Sequence, residues 1–213
     1  MDLFIAALEF IGVIAFASSG ALEAIQSKMD ILGVVIISVT TAFGGGIIRD
    51  LVLGVNPPNV FTDPNYMYVA MGVSLTIFML LYFNKKILGN PSYKYFDILL
   101  TISDAIGLAV FTVLGMNVAF AVSQDFRGAI YIFVGLITGV GGGVLRDLML
   151  SKVPYILDRN VYASASMLGA IIYYLLRRST DLPIAVMMLI SMLIIFTVRM
   201  IAAIKNIHLP KVD

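Results

Sequence analysis

The sequence predicts an all-α integral membrane protein: seven transmembrane helices, arranged as two inverted three-helix repeats plus a seventh helix. Three observations predict it. Hydrophobic residues make up 60% of the 213 and charged residues only 13%, and mean hydropathy is +0.99, well above a soluble globular chain. The apolar residues gather into seven stretches close to the roughly 20 residues a helix needs to cross a hydrocarbon layer about 30 Å thick. Finally, the stretch "TTAFGGGIIRDLVLG" at 40–54 returns as "ITGVGGGVLRDLMLS" at 137–151.

Cutting the chain at polar, Pro and Gly clusters places the spans near 4–25, 31–53, 66–84, 96–119, 128–150, 156–176 and 183–205. Short polar loops such as "QSKMD", "NPPNVFTDPN", "NKKILGNPSYK" and "RRSTD" separate them. The first span reads as a retained helix, because "MDLFIAALEF" has no basic leader region and carries Asp2 and Glu9. Basic residues orient the bundle. Lys28, Lys85, Lys86, Lys94, Lys152, Arg159, Lys205 and Lys211 fall on one side, against Arg127, Arg177 and Arg178 on the other. The C-terminus is therefore expected in the cytoplasm and the N-terminus outside, in a multi-pass protein of the cell inner membrane or plasma membrane.

The glycine motif belongs to a longer repeat. A shift of 97 carries Gly44, Gly45, Gly46, Arg49, Asp50, Leu51, Leu53, Pro57 and Gly72 onto Gly141, Gly142, Gly143, Arg146, Asp147, Leu148, Leu150, Pro154 and Gly169. A shift of 95 carries Glu9, Gly12, Phe16, Gly20, Ala24, Asp30 and Gly33 onto Asp104, Gly107, Phe111, Gly115, Ala119, Asp125 and Gly128. The units are thus 1–92 and 93–178, with the seventh helix and a cytoplasmic tail in 179–213. Three helices are an odd number, so the second unit enters the membrane from the opposite side, an arrangement shared with transporters and channels.

Each triplet lies well inside its helix. Glycine costs about 1 kcal/mol against alanine at a helix interior position, so three together weaken the helix locally. Two readings follow. Either the helices break at Gly44–Gly46 and Gly141–Gly143 and their carbonyls line a pathway, or the small residues let two backbones pack closely. Two triplets at matched depth, each beside an ionic pair, favour the pathway.

Arg49, Asp50, Arg146 and Asp147 either reach the headgroups from the helix ends or carry charge along that pathway. Glu9 and Asp104 lie inside apolar helices, where an acid faces a partner or a cavity. The topology pairs Glu9 with Arg49 and Asp104 with Arg146. The ladder Gly12, Phe16, Gly20, Ala24, with its echo in the second unit, reads as a packing face. Ser38, Thr40, Thr41 and Thr138 are candidate pore hydroxyls, although such hydroxyls commonly bond their own backbone. Tyrosines at 66, 68, 93, 95, 155 and 162 suit an aromatic belt against membrane lipids.

Several functions are disfavoured. There is no cysteine, and the single histidine, His208, stands in the tail, so no metal site is expected. Neither a nucleotide-binding loop nor a nucleophile with its base is present, so neither a cofactor nor an enzyme is expected. A net charge of +1 gives no case for nucleic acid.

The segments "FASSGALEA", "TAFGGGIIRDLVLG", "NPPNVF", "TGVGGGVLRDLML" and "VPYIL", followed by a seventh helix, resemble the prokaryotic branch of the trimeric intracellular cation (TRIC) channels. The duplicated domain of that family also carries the name of a glycine transporter. The resemblance implies a homotrimer with a pore in each protomer, lined where the second and fifth helices kink at the triplets, passing potassium and other monovalent cations. The lysine-bearing motif and basic lipid contacts of eukaryotic members have no match here, so voltage gating and phosphoinositide control do not carry over. Two functions stay open: a monovalent-cation channel, which the resemblance favours, and a secondary carrier for a small zwitterion such as glycine.

Overall fold

A computed structural model describes residues 2–83, 93–158, 161–205 and 207. Lys85, Lys86, Arg159, His208 and Lys211 lie outside the described residues, as do the side chains of 93–95. The described residues are helical almost throughout: α1 Asp2–Gln26, α2 Ile31–Leu53, a 3-10 turn Asn59–Phe61, α3 Asn65–Phe83, α4 Tyr93–Val122, α5 Gly128–Met149, α6 Tyr155–Asp158, α7 Tyr162–Ser179 and α8 Ile184–Ile204. In α1, α2, α3, α4, α5 and α8 lie stretches long and apolar enough to cross a membrane. Helix α7 is not among them, because serines and tyrosines interrupt it and Arg177 and Arg178 close it. The stretch read as one helix at 156–176 is therefore two, the one-turn α6 and then α7.

Helices α1, α2, α4 and α5 form the centre, with α2 against α5 and α1 against α4. Helix α3 packs on α1 and α2, as α7 packs on α4 and α5; α8 lies against α4 and α7. Phe83, Leu80, Leu157 and Leu193 stand largely exposed, which suits a surface facing lipid.

The two halves repeat in detail. Gly54, at φ 72, ends α2, and Ser151, at φ 55, ends α5 in the same left-handed conformation. Glycine adopts that shape freely and serine does not. After them, the Val55 amide donates to the Asp50 carbonyl at 2.8 Å and the Lys152 amide donates to the Asp147 carbonyl at 2.9 Å.

At the glycine triplets the structure differs from the broken helices expected there. Both α2 and α5 run unbroken through them. A Cβ on Gly45 would stand 2.1 Å from the Thr138 carbonyl oxygen, and one on Gly142 would stand 2.0 Å from that of Thr41. The helices thus cross backbone to backbone, and these two glycines are required by contact, as in other closely packed membrane helices. Gly141 lies against Gly45, and Gly44 against the Leu145 side chain. Around Gly46, only the tip of Arg49 approaches, at 3.8 Å.

Alanine substitutions should therefore rank in order. Gly45→Ala and Gly142→Ala must push the helices apart, costing about 1–3 kcal/mol or more and lowering the melting temperature in detergent by roughly 3–10 °C. Gly46→Ala should be neutral or stabilising, since it gains about 1 kcal/mol of helix propensity with nothing to displace. Equal losses at all three positions would show that helix weakening, and not the crossing, is what the glycines provide.

Candidate functional site

The two Arg-Asp pairs close the ends of α2 and α5 by the same device. Arg49 Nε meets Asp50 Oδ1 at 2.8 Å, and Asp50 Oδ2 accepts from the Asn59 amide at 2.8 Å. Arg146 Nε meets Asp147 Oδ1 at 2.8 Å, and Asp147 Oδ2 accepts from the Tyr155 amide at 2.9 Å. Each aspartate thereby ties its helix end to the first turn of the next short helix, with its arginine neutralising it. All four residues are buried, so they do not reach out to the headgroups.

Beyond the shared device, the two ends diverge. At the α5 end, Arg146 Nη1 donates to Asp104 Oδ1 at 2.8 Å and to Ser19 Oγ at 2.6 Å, joining α5 to α4 and α1. Both members of this ion pair are fully buried. The Tyr155 ring lies 4.9 Å from the Arg146 guanidinium carbon. Next to it, Lys152 Nζ meets Glu23 Oε1 at 2.6 Å and the Tyr155 hydroxyl donates to Glu23 Oε2 at 3.0 Å. Arg199, from α8, lies over the Tyr162 ring at 5.3 Å. Asp104 Oδ2, Arg146 Nη2, the Tyr162 hydroxyl, and Arg199 Nε and Nη2 are buried without a hydrogen-bond partner among the described residues. Burying a polar cluster of this size inside an apolar bundle costs stability wherever its groups go unpaired.

At the α2 end there is instead an open cavity of about 280 Å³, lined by Glu9, Val13, Gly46, Arg49, Asp63, Tyr66 and Phe111 among others. Glu9 and Tyr66 line the same cavity. The expected pairing of Glu9 with Arg49 is not formed: among the described residues, the ion pair of Arg49 is with Asp50. The repeat also differs around the two ends. The position matching Ser19 is Leu114, that matching Glu23 is Val118, and that matching Lys152 is Val55. The hydroxyl, carboxylate and ammonium that extend the network at the α5 end thus have only apolar counterparts in the repeat.

The hydroxyls mostly serve their own helices: Ser38 donates to the Val34 carbonyl at 2.7 Å, Thr41 to Ile37 at 2.6 Å and Thr138 to Val134 at 2.6 Å. Thr40 is half-buried. Sequence reasoning missed Ser19, Glu23, Lys152, Tyr66, Tyr162 and Arg199 as members of the two ends. Arg199 carried a usable signal, because a lone arginine inside an apolar helix has the same meaning as Glu9 or Asp104.

These features define an integral membrane protein built from two copies of one helical domain, with a buried charge cluster at one end and a cavity at the other. The glycine transporter family matches the chain twice, over residues 6–82 and 101–178. The UPF0126 inner membrane protein YadS of Escherichia coli K12 is 34% identical over 203 residues, covering 95% of this chain and 93% of its own. The fold matches a prokaryotic TRIC channel solved in 0.5 M KCl with a TM-score of 0.85 and 32% identity, covering 98% of this chain and all of that one. A TRIC channel orthologue from Rhodobacter sphaeroides matches with a TM-score of 0.83 and 30% identity, covering 95% and 98%. The chain belongs to this family, the prokaryotic TRIC channels, in which the glycine transporter domain is duplicated.

The two acid-arginine couples should behave differently in double-mutant cycles on thermal stability. Asp104 and Arg146 should couple by about 1.5–3 kcal/mol, since removing either strands the other in a buried setting. Glu9 and Arg49, facing a cavity without contact, should couple by less than about 0.5 kcal/mol. Equal coupling energies would mean that the first pair closes in solution as the second does.

Proposed function

We propose that the protein is a monovalent-cation channel, permeable to potassium, with one path through each protomer of a homotrimer. The observation that carries this reading is the likeness, over nearly the whole of both chains, to a TRIC channel solved in potassium chloride. A second matching structure, 35% identical with a TM-score of 0.82, is that of a conducting TRIC cation channel. The path enters at the cavity beside Gly46, runs alongside the α2–α5 crossing on the side of α1 and α4, and leaves by Gly143. There a Cβ would stand 3.0 Å from the Tyr162 hydroxyl and 3.8 Å from Arg146 Nη2. Glycines contribute no side chains, so an ion passing beside the triplets meets main-chain carbonyls and hydroxyls, and discrimination among monovalent cations is modest.

In this reading α7 is the seventh span. Its 18 residues give about 27 Å of helix, and it holds in the second half the place of α3 in the first. The halves are then inverted copies, and the basic loops put the C-terminus in the cytoplasm. With Asp50 paired to Arg49, the remaining acids of the cavity, Glu9 and the exposed Asp63, concentrate cations at its mouth.

Purified protein in planar bilayers under a potassium gradient should give single-channel steps, while liposomes from the same preparation take up no glycine. Glycine flux without steps would identify a carrier and end the channel reading. Asp63→Asn should lower unitary conductance more at about 10 mM salt than at about 1 M, because the field is screened within roughly 3 Å at the higher strength. The potassium-to-sodium ratio should barely change.

A further inference from the structure

The cavity has an apolar floor. Phe111 of α4 lies there with Val13 of α1, and the Phe111 ring stacks on Phe16 of α1, with centroids 5.3 Å apart and planes at 17°. At that separation the two faces are in van der Waals contact and leave no room for water. Phe16 is almost entirely buried. The polar cluster at the other end begins one turn past Phe16, at Ser19, and two turns before Phe111, at Asp104. The aromatic pair therefore stands between the cavity and the Arg146 cluster.

Its geometry is reciprocal. Phe16 and Phe111 are equivalent residues of the two halves, as are Gly12 and Gly107. A Cβ on Gly107 would stand 2.2–2.6 Å from atoms of the Phe16 ring, and a Cβ on Gly12 3.0–3.1 Å from those of Phe111. Each half thus clears a glycine for the ring of the other. The alternative route between the cavity and the cluster, the α2–α5 seam, is shut by main chain at Gly45 and Gly142, which no side-chain rotation opens. Two stacked rings part by small movements of α1 against α4.

We propose that Phe16 and Phe111 are the gate of the permeation path: closed, they form a dry apolar barrier, and an ion passes only when the rings separate and water fills the gap. The proposal rests on the channel reading, and its test has a readout that does not need conduction. The natural chain has no cysteine, so Ser19→Cys places a single thiol beyond the pair, and silver ion serves as a monovalent cation that reacts with it.

With both phenylalanines intact, silver added on the cavity side of sealed vesicles should label Ser19→Cys slowly. In the Phe111→Asn or Phe16→Asn background labelling should rise several-fold, and in bilayers the same two changes should raise open probability, whereas Phe111→Leu should stay near wild type. If an asparagine variant does not fold, Gly12→Ala supplies the test, because its methyl presses on the Phe111 ring and should change the labelling rate. Labelling equally fast in every background, or wild-type open probability in folded asparagine variants, overturns the gate. A wild-type protein without channel steps overturns the conduction reading, and the silver measurement still decides whether the rings are the barrier.

Discussion

The close crossing of α2 and α5 is the contact from which the rest of the architecture follows. In a bilayer apolar side chains gain nothing by leaving lipid for one another, so association depends on packing and polar contact. Two helices meeting through bare backbone achieve the tightest packing available. Here the arrangement is reciprocal, Gly45 against the Thr138 carbonyl and Gly142 against the Thr41 carbonyl, so the two halves are held by the same contact made twice. With that crossing in place, α1 and α4 are brought side by side, and their own glycines and phenylalanines interlock next to it.

Duplication supplies two copies of the Arg-Asp device, and a few substitutions make them unlike. Ser19 and Glu23 give the α5 end hydrogen-bonding partners from α1, while Leu114 and Val118 leave the α2 end without them. One end is a sealed network of charges and the other an open cavity. The difference between the two ends thus lies in side chains around the motif on α2 and α5, not in the motif itself.

Much of this was legible in the sequence because hydropathy and repetition are local, additive signals. The apolar stretches became helices with ends within a few residues of those expected, and the pairing of Asp104 with Arg146 followed from depth and topology alone. The triplets were read as breaks because glycine propensity is counted within one helix, whereas here a second helix supplies the reason for having no side chain. The Glu9 to Arg49 pairing failed for a related reason. Symmetry of the charged residues was visible, but whether Glu9 reaches Arg49 depends on how the helices pack around the cavity, which the repeat does not carry. The start of α6 is tied to the end of α5 by the Tyr155 amide donating to Asp147, a contact between segments that no periodicity reveals.

The position of Arg146 in the chain also bears on how the protein is made. An arginine entering a bilayer through the insertion machinery costs up to about 2.5–3.5 kcal/mol, the figure for the centre of a helix, and less in the last turn, where Arg146 stands in α5. Ser19 and Asp104 both precede Arg146 in the chain, and so are synthesised before α5 emerges. Two of the partners of its guanidinium are thus already in the membrane when it arrives and a third, Asp147, arrives with it, while Arg199 follows Tyr162. Glu9 meets the opposite circumstance, entering first, with Tyr66 of the same cavity still to be translated. A carboxyl can shed its charge by taking up a proton and an arginine cannot, so the order of synthesis gives the unaccompanied entry to the residue that can bear it.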